Sequence, residues 1–482
     1  MSLRKKAVRG LLWTGSGNVV SGMLNFSIVA LLAHFLSPAD FGLMGMVLLV
    51  IGFITMISDF GLGTAVIQEE LFTASQVSTF FYVNLILGVI LGALVYCLAP
   101  LISSFFKNTE LATLLHLIAI VFLLSGIGST FRTILQKEMR FAALSVTELS
   151  GIATYGIVSI TLAILGYGVK SLVYGVIIRQ FIEVSILWFI VRYRLTSFFR
   201  LTEIRHLLRF GTFVLGERIL NYLNRNIDYL LIGKFLGTEL LGYYTLAYQI
   251  ILVPISRVAQ VVGKVTYPVF SKVQNEPEKM QDGYIIMLKY IALITFPFVA
   301  VLFVVAPEFI HSVYGKNWDA TISVLQIFCL YGAIESIGTT VGGVLYAKNR
   351  ADIAFSYNII NVAIVASAVS IGLHYGIIGV ATSLTSVSLP LTYLWQRKTN
   401  LLIRLSWRSF FNTLSFALVV SVILLPSIYM IKLLGRAYFY NNDMGILLIS
   451  FGSAIIIYIL TIGALKRSLI IEVKTIFSHV NS

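Results

Sequence analysis

Six polar or charged residues share one side of a segment that is otherwise apolar. Between positions 217 and 228 the sequence reads ERILNYLNRNID. At about 100° per residue, a helix places six of these side chains within about a third of its circumference. In a bilayer each central charge costs about 2.5 to 3.5 kcal/mol, so we expect this stripe to face protein or a water-filled cavity rather than lipid. The stripe consists of Glu217, Arg218, Asn221, Asn224, Arg225 and Asp228.

Three arginines in apolar segments have the chemistry to hold an anion. They are Arg218, Arg225 and Arg257. A guanidinium group matches phosphate oxygens bidentately and stays charged when partly desolvated. The alternative is that Arg218 and Arg225 only neutralise Glu217 and Asp228. Arg257 has no acid at contact spacing in its own helix, which favours an anion-binding role. We predict substrate binding by Arg225, Arg257, Arg218, Asn221 and Asn224.

The other ionisable residues inside apolar segments are candidates for coupling or gating. Arg179 and Glu183 stand one turn apart and are predicted to pair. Glu148 and Glu335 have no local partner, so each either titrates as a proton-coupling carboxylate or pairs across helices. Asp59 precedes FGLG, a sequence that indicates either a gate or a helix-end packing motif. The coupling or gating set is Asp59, Glu148, Glu217, Asp228, Glu335, Arg179 and Glu183.

Composition predicts an all-α polytopic membrane protein. Hydrophobic residues make up 58% of the chain and charged residues 12%, against about 25% charged in soluble proteins. Windows of about 20 residues then give about 14 transmembrane helices. They are 11–36, 41–67, 77–105, 111–135, 141–165, 171–191, 210–235, 240–264, 284–313, 321–346, 353–373, 376–395, 410–434 and 444–465.

Basic residues in the connections and near the helix ends, Arg132 among them, predict the orientation of the chain. Taken alternately, one set of connections and the two ends hold 23 basic residues, and the other set holds six. The positive-inside rule therefore puts both termini in the cytoplasm, which requires an even number of spans. The formal charge of +14 fits this topology and anionic membrane lipid better than it fits nucleic acid.

Weak internal matches predict two parallel six-helix repeats. Phe35-Leu36 and Gly42 recur 200 positions later as Phe235-Leu236 and Gly242, and LGYGV at 165–169 is matched by LHYGI at 373–377. An offset of six spans preserves orientation, so the repeats would be related by an axis along the membrane normal. The predicted divisions are a first lobe, an amphipathic cytoplasmic linker, a second lobe and two additional helices with a cytoplasmic tail; their bounds are 1–195, 196–209, 210–400 and 401–482.

The sequence contains no enzyme constellation. It has no metal-ligand spacing, phosphate-binding glycine loop or nucleophile motif, and Cys97 and Cys329 lie in apolar segments where packing is their expected role. We therefore expect neither catalysis nor a cofactor.

Four segments resemble polysaccharide transporters of the Wzx type, flippases of the MATE/MOP superfamily. They are WTGSGNVVSGMLNFSIVALLAHFLSPADFGLMGMV at 13–47, DFGLGTAVIQ at 59–68, YPVFSK at 267–272 and LYAKNR at 345–350. The resemblance implies two six-helix lobes around a V-shaped central cavity with alternating access. It also implies transfer of an undecaprenyl-pyrophosphate-linked oligosaccharide from the cytoplasmic to the outer leaflet of a bacterial inner membrane, for O-antigen or exopolysaccharide synthesis. The implied partners are a glycan polymerase and a chain-length regulator. The resemblance also implies coupling of transport to a proton, to a sodium ion or to the membrane potential.

Two other functions stay open at this point. A multidrug or cation antiporter of the same superfamily is disfavoured by the intramembrane arginines, because a cationic substrate calls for acidic groups. A non-transporting membrane component of glycan polymerisation is disfavoured by short outer connections.

Overall fold

The computed structural model describes residues 3–58, 74–192, 205–274, 276–438 and 442–465. Within these ranges it leaves out the side chains at 3–14, 57–58, 74, 205–217, 260–269, 271–272, 351 and 438. Asp59 and most of the predicted linker 196–209 therefore lie outside the described residues, as does the side chain of Glu217.

The described residues form an all-α protein, as the hydropathy pattern predicts. Two short 3₁₀ helices, Lys316–Trp318 and Leu373–Tyr375, precede the tenth and twelfth α-helices. The α-helices in chain order are α1 (Leu3–Leu32), α2 (Pro38–Ser58), α3 (Ala74–Phe106), α4 (Thr109–Lys137), α5 (Phe141–Ile164), α6 (Lys170–Val191), α7 (Arg205–Phe235), α8 (Thr238–Lys272), α9 (Pro277–Val313), α10 (Asp319–Ala347), α11 (Ala351–Gly372), α12 (Gly376–Ile403), α13 (Trp407–Tyr438) and α14 (Asp443–Leu465).

Most of these helices are long and apolar enough to cross a membrane. Among the described residues, eleven stretches meet this condition, and one of them, Asp352–Ile403, contains both α11 and α12. The helices α7 and α8 are not among the eleven; α7 carries the polar stripe, which lowers its hydropathy. The chain is thus a multi-pass membrane protein, while the number of crossings and the orientation of the termini stay predictions.

The chain divides into two compact units, Met1–Gly242 and Tyr243–Ser482. In the first unit, α7 packs against α2. In the second unit, α13 and α14 pack against α9. The lobe boundaries and the internal repeat predicted from the sequence stay predictions.

Glycines and one amide fix the packing in the first unit. A Cβ atom at Gly88 would lie 2.6 Å from the carbonyl oxygen of Phe122, so α3 and α4 approach closely at this point. Beside this crossing, the buried Asn84 Nδ2 donates to Thr130 Oγ1 at 3.2 Å. The hydrogen bond from the Asn84 amide fixes the register of these two helices, because an unpaired polar group in an apolar interior costs several kcal/mol.

The helix α9 forms the centre of the second unit. Its buried Tyr284 hydroxyl donates to Gln396 Oε1 on α12 at 2.8 Å and lies 2.8 Å from Thr340 Oγ1 on α10. Farther along α9, the Tyr458 hydroxyl of α14 donates to the carbonyl oxygen of Leu293 at 3.0 Å. Polar contacts therefore join α9 to three neighbours within an apolar core.

Candidate functional site

The polar stripe of α7 lies in the first unit, with different exposure along its length. Arg218, Asn221 and Asn224 are half-buried, and Arg225 is exposed. Asp228 is 4% exposed. The helix therefore presents one accessible guanidinium group beside amides and a buried carboxylate.

A tyrosine at the edge of this stripe fixes how α7 faces α2. The Tyr222 hydroxyl donates to the carbonyl oxygen of Leu49. Its ring centroid is 5.8 Å from that of Phe53, and a Cβ atom at Gly52 would lie 2.8 Å from the Tyr222 hydroxyl oxygen. Because Tyr222 follows Asn221 in the helix, these contacts restrict rotation of the whole stripe.

Arg225 does not neutralise Asp228. Asp228 Oδ1 accepts the backbone N–H of Tyr229 at 2.9 Å, and Arg225 makes no ion pair within the described part of the chain. Of the two roles that the sequence left open for this arginine, the arrangement favours a charge available to an external anion.

Arg257 and Glu335 lie in the second unit. Arg257 is exposed on α8, and the described ranges contain no ion pair involving it. Glu335 is half-buried on α10 and has an interaction partner. Arg257 is thus an accessible guanidinium group in the second unit, and its anion-binding role stays a prediction.

The predicted pair of Arg179 and Glu183 is confirmed, and it has a third member. Arg179 Nε donates to Glu183 Oε1 at 2.8 Å within α6, and Arg132 Nη2 of α4 donates to Glu183 Oε2 at 2.8 Å. From the sequence, Arg132 counted only among the basic residues that set topology, although it falls inside the predicted helix 111–135. Glu148 is half-buried on α5.

The second unit also contains a charged cluster, which the sequence did not predict. Glu308 of α9 is 1% exposed, and Arg436 Nη2 of α13 donates to its Oε1 at 2.8 Å. Lys432 Nζ lies 2.9 Å from Glu308 Oε2 and donates to the carbonyl oxygen of Val304 at 2.8 Å. The available signal was an acid inside the predicted helix 284–313. This cluster joins α13 to α9.

A histidine near the end of α9 connects two further helices. His311 Nε2 lies 2.6 Å from Asp319 Oδ1 at the start of α10, and its Nδ1 lies 3.3 Å from Asp443 Oδ2 at the start of α14. In the described part of the chain, no group of three His, Cys, Asp or Glu side chains has the arrangement to hold a metal ion.

Residues 31–323, more than half of the chain, match the family model described as "Polysaccharide biosynthesis protein". The chain belongs to this family. It is 31% identical to the lipopolysaccharide biosynthesis protein WzxC of Escherichia coli (strain K12), over 77% of this chain and 76% of the relative. It is also 31% identical to the teichuronic acid biosynthesis protein TuaB of Bacillus subtilis (strain 168), over 74% of each chain. These relatives confirm the resemblance to Wzx-type transporters.

Solved structures show that this polysaccharide biosynthesis protein shares the fold of flippases and multidrug transporters. The lipid II flippase MurJ in an inward closed conformation superposes with a TM-score of 0.75 at 17% identity, over 95% of this chain and all of the other. An inward-facing multidrug transporter of the MATE family and MOP superfamily superposes with a TM-score of 0.63 at 17% identity, covering 80% of this chain and 96% of the other. The chain therefore shares the fold of these two transporters.

Proposed function

We propose that this protein moves an undecaprenyl-pyrophosphate-linked oligosaccharide from the cytoplasmic to the outer leaflet of a bacterial inner membrane. The moved glycan supplies O-antigen or exopolysaccharide synthesis. The observation that carries the proposal is the exposed guanidinium group of Arg225, next to half-buried amides on a helix of a transporter fold. Membership of a polysaccharide biosynthesis family supports the class of substrate.

The headgroup chemistry supports a pyrophosphate rather than a cation. Arg225 and Arg257, one in each compact unit, carry charges that no side chain neutralises in the described residues. Guanidinium groups bind phosphate oxygens bidentately, and they do so more strongly where water is scarce. The amides of Asn221 and Asn224 add hydrogen-bonding capacity for polar groups of the substrate. The polyprenyl chain, being apolar, can stay in lipid during transfer.

We further propose alternating access, and a pair of glycines in the first unit supports it. A Cβ atom at Gly42 of α2 would overlap the carbonyl oxygen of Thr238, and one at Gly242 of α8 would overlap that of Pro38. Each glycine thus packs against a carbonyl oxygen of the other helix. Positions 38 and 238, like positions 42 and 242, are 200 residues apart, which is the offset of the internal sequence match. A contact with no intervening side chains can separate and re-form as a unit, which suits a gate between helix ends.

The test of this function is glycan export in living cells. In a strain that lacks its own transporter and carries this protein, Arg225→Ala or Arg257→Ala is expected to abolish export without reducing the amount of folded protein. Arg350→Ala is the matched control, because Arg350 is an exposed arginine that pairs with the neighbouring Asp352 at 2.8 Å. Removing such a surface pair costs less than about 1 kcal/mol.

Full export by both the Arg225→Ala and the Arg257→Ala protein would remove the assignment of the headgroup site. Loss of export in the Arg350→Ala control would indicate that export responds to any loss of positive charge. If the wild-type protein instead expels cationic dyes and moves no glycan, the antiporter function takes the place of the proposed one.

A further inference from the structure

Arg132, Arg179 and Glu183 form a charged cluster inside the first unit. The two arginines come from α4 and α6 and bind opposite oxygens of one carboxylate, each at 2.8 Å. Their guanidinium groups are therefore held next to each other by a shared partner. We propose that this cluster is a phosphate-binding site, with Arg132 and Arg179 as its ligands and Glu183 as the residue that positions them.

The charge balance of the cluster calls for an anion. Two guanidinium groups and one carboxylate leave one net positive charge, in helices that both qualify as membrane spans. A charge at the centre of a span costs about 2.5 to 3.5 kcal/mol on insertion scales unless water or a counter-ion reaches it, and Arg179 lies near the middle of α6. Each oxygen of the Glu183 carboxylate already binds one arginine. Its single negative charge therefore does not balance the two positive charges.

Both arginines have hydrogen-bond donors left for a ligand. A guanidinium group has five N–H donors, and the Glu183 carboxylate takes one nitrogen from each arginine. The arginine side chains are 44% and 34% exposed, while that of Glu183 is 4% exposed. The acid is thus the buried anchor, and the two forks remain accessible.

The backbone of α5 keeps the anchor in place. A Cβ atom at Gly151 would overlap Glu183 Oε1 and lie 2.6 Å from its Cγ. The carboxylate is therefore enclosed by Gly151 on one side and by the two arginines on the other. A fixed carboxylate limits the rotamers of both arginines, and this lowers the entropy that a ligand would lose on binding.

The ligand that fits two adjacent guanidinium forks is a phosphate group. Phosphate offers several oxygens around one centre, so each arginine can bind it bidentately. An anionic phospholipid headgroup and a polyprenyl pyrophosphate share this chemistry. Only the second source rests on the proposed function, so a phosphate site would stand even if that function were wrong.

The test measures pyrophosphate binding in the full-length protein with Arg225→Ala and Arg257→Ala already in place. This background removes the candidate headgroup arginines from the measurement. The protein is placed in phosphatidylcholine nanodiscs and titrated with inorganic pyrophosphate in an isothermal titration calorimeter. Arg132→Gln and Arg179→Gln are each expected to raise the dissociation constant of pyrophosphate about tenfold. Arg140→Gln is the control, since Arg140 is an exposed arginine between α4 and α5 whose Nη1 lies 3.6 Å from Glu138 Oε2.

Two further arms identify the source of the phosphate. Native mass spectrometry compares how much phosphatidylglycerol each variant retains, and a competition titration adds undecaprenyl pyrophosphate to the pyrophosphate-loaded protein. Retention of phosphatidylglycerol that Arg132→Gln abolishes assigns the site to a lipid headgroup. Displacement of inorganic pyrophosphate by the polyprenyl compound, lost in the same variant, assigns the site to the transported lipid.

Equal pyrophosphate affinity in the Arg132, Arg179 and Arg140 variants would overturn the proposal. A purely structural ion pair predicts lower melting temperatures for the first two variants with unchanged affinity in the folded protein, and this outcome also overturns it. Arg132→Lys and Arg179→Lys keep the charge and lose the planar fork, so a phosphate site predicts an intermediate loss of affinity for both.

Discussion

Replacing Glu308 by alanine is expected to weaken the packing of α13 against α9 and to lower the free energy of unfolding. Glu308 and Lys432 are both buried, with side chains 1% and 9% exposed, whereas the Arg436 side chain is 48% exposed. Glu308→Ala leaves the Lys432 ammonium without its counter-ion and with one remaining bond, to the carbonyl oxygen of Val304. Breaking a buried pair in this way costs about 3 to 5 kcal/mol.

The lower end of that range applies here, because water can hydrate Arg436 after the change. A loss of about 3 kcal/mol corresponds to a change of roughly a hundredfold in the ratio of folded to unfolded protein. The assay is reversible unfolding by SDS in bicelles, which gives the free energy of unfolding for each variant. Asp352→Ala is the control, since its exposed pair with Arg350 contributes below about 1 kcal/mol.

A double variant separates lost charge pairing from lost packing. Replacing Glu308 by Leu and Lys432 by Met removes both buried charges at similar volume, and such replacements are often neutral or stabilising. We expect this double variant to recover most of the stability that Glu308→Ala loses. The reasoning is refuted if Glu308→Ala costs no more than Asp352→Ala, or if the double variant is as unstable as the single one.

Two further substitutions test how the helices pack. Gly42→Val is expected to lower the free energy of unfolding by about 1 to 3 kcal/mol, by overpacking against Thr238, and to reduce transport. Gly22→Ala, at a position with open space around it, is expected to change neither quantity. Equal free energies of unfolding for the two variants would contradict the close contact. Tyr284→Phe leaves the Gln396 carbonyl without its donor and is expected to lower the free energy of unfolding by about 1 to 3 kcal/mol, measured by the same SDS titration; an unchanged value would show that water replaces the hydroxyl.

Hydropathy predicts helices well where apolar residues fill the whole helix. The prediction 141–165 agrees closely with α5 (Phe141–Ile164), but α9 begins at Pro277 rather than 284 and α8 continues to Lys272 rather than 264. The extra turns of α9, PEKMQDG at 277–283, are polar, and hydropathy measures only the part of a helix suited to hydrocarbon. Backbone hydrogen bonds continue a helix past the membrane regardless of side-chain polarity.

The candidate site was predictable only where contacts are local in sequence. Arg179 and Glu183 are four residues apart, and helical geometry alone places them together. Arg132 lies 51 residues from Glu183, and Arg436 lies 128 from Glu308. Pairings at such separations depend on which helices are neighbours, and periodicity within one segment holds no information about that.

The exposure of individual arginines also required the structure. The sequence alone made Arg225 a candidate anion ligand and left pairing with Asp228, which lies within reach along the helix, as the alternative. The structure buries Asp228 and leaves Arg225 exposed. Burial depends on the packing of α7 against α2, which Tyr222 and Gly52 bring about.

We propose that this protein moves a lipid-linked oligosaccharide and that Arg225 and Arg257 are each required for the transfer. The most direct measurement is the rate at which a fluorescent undecaprenyl-pyrophosphate oligosaccharide changes leaflet in liposomes containing the purified protein. We expect rapid transfer with the wild-type and Arg350→Ala proteins. With Arg225→Ala or Arg257→Ala we expect transfer at the rate of protein-free liposomes. Wild-type liposomes that transfer no more than empty ones, or alanine variants as fast as the wild type, would contradict it.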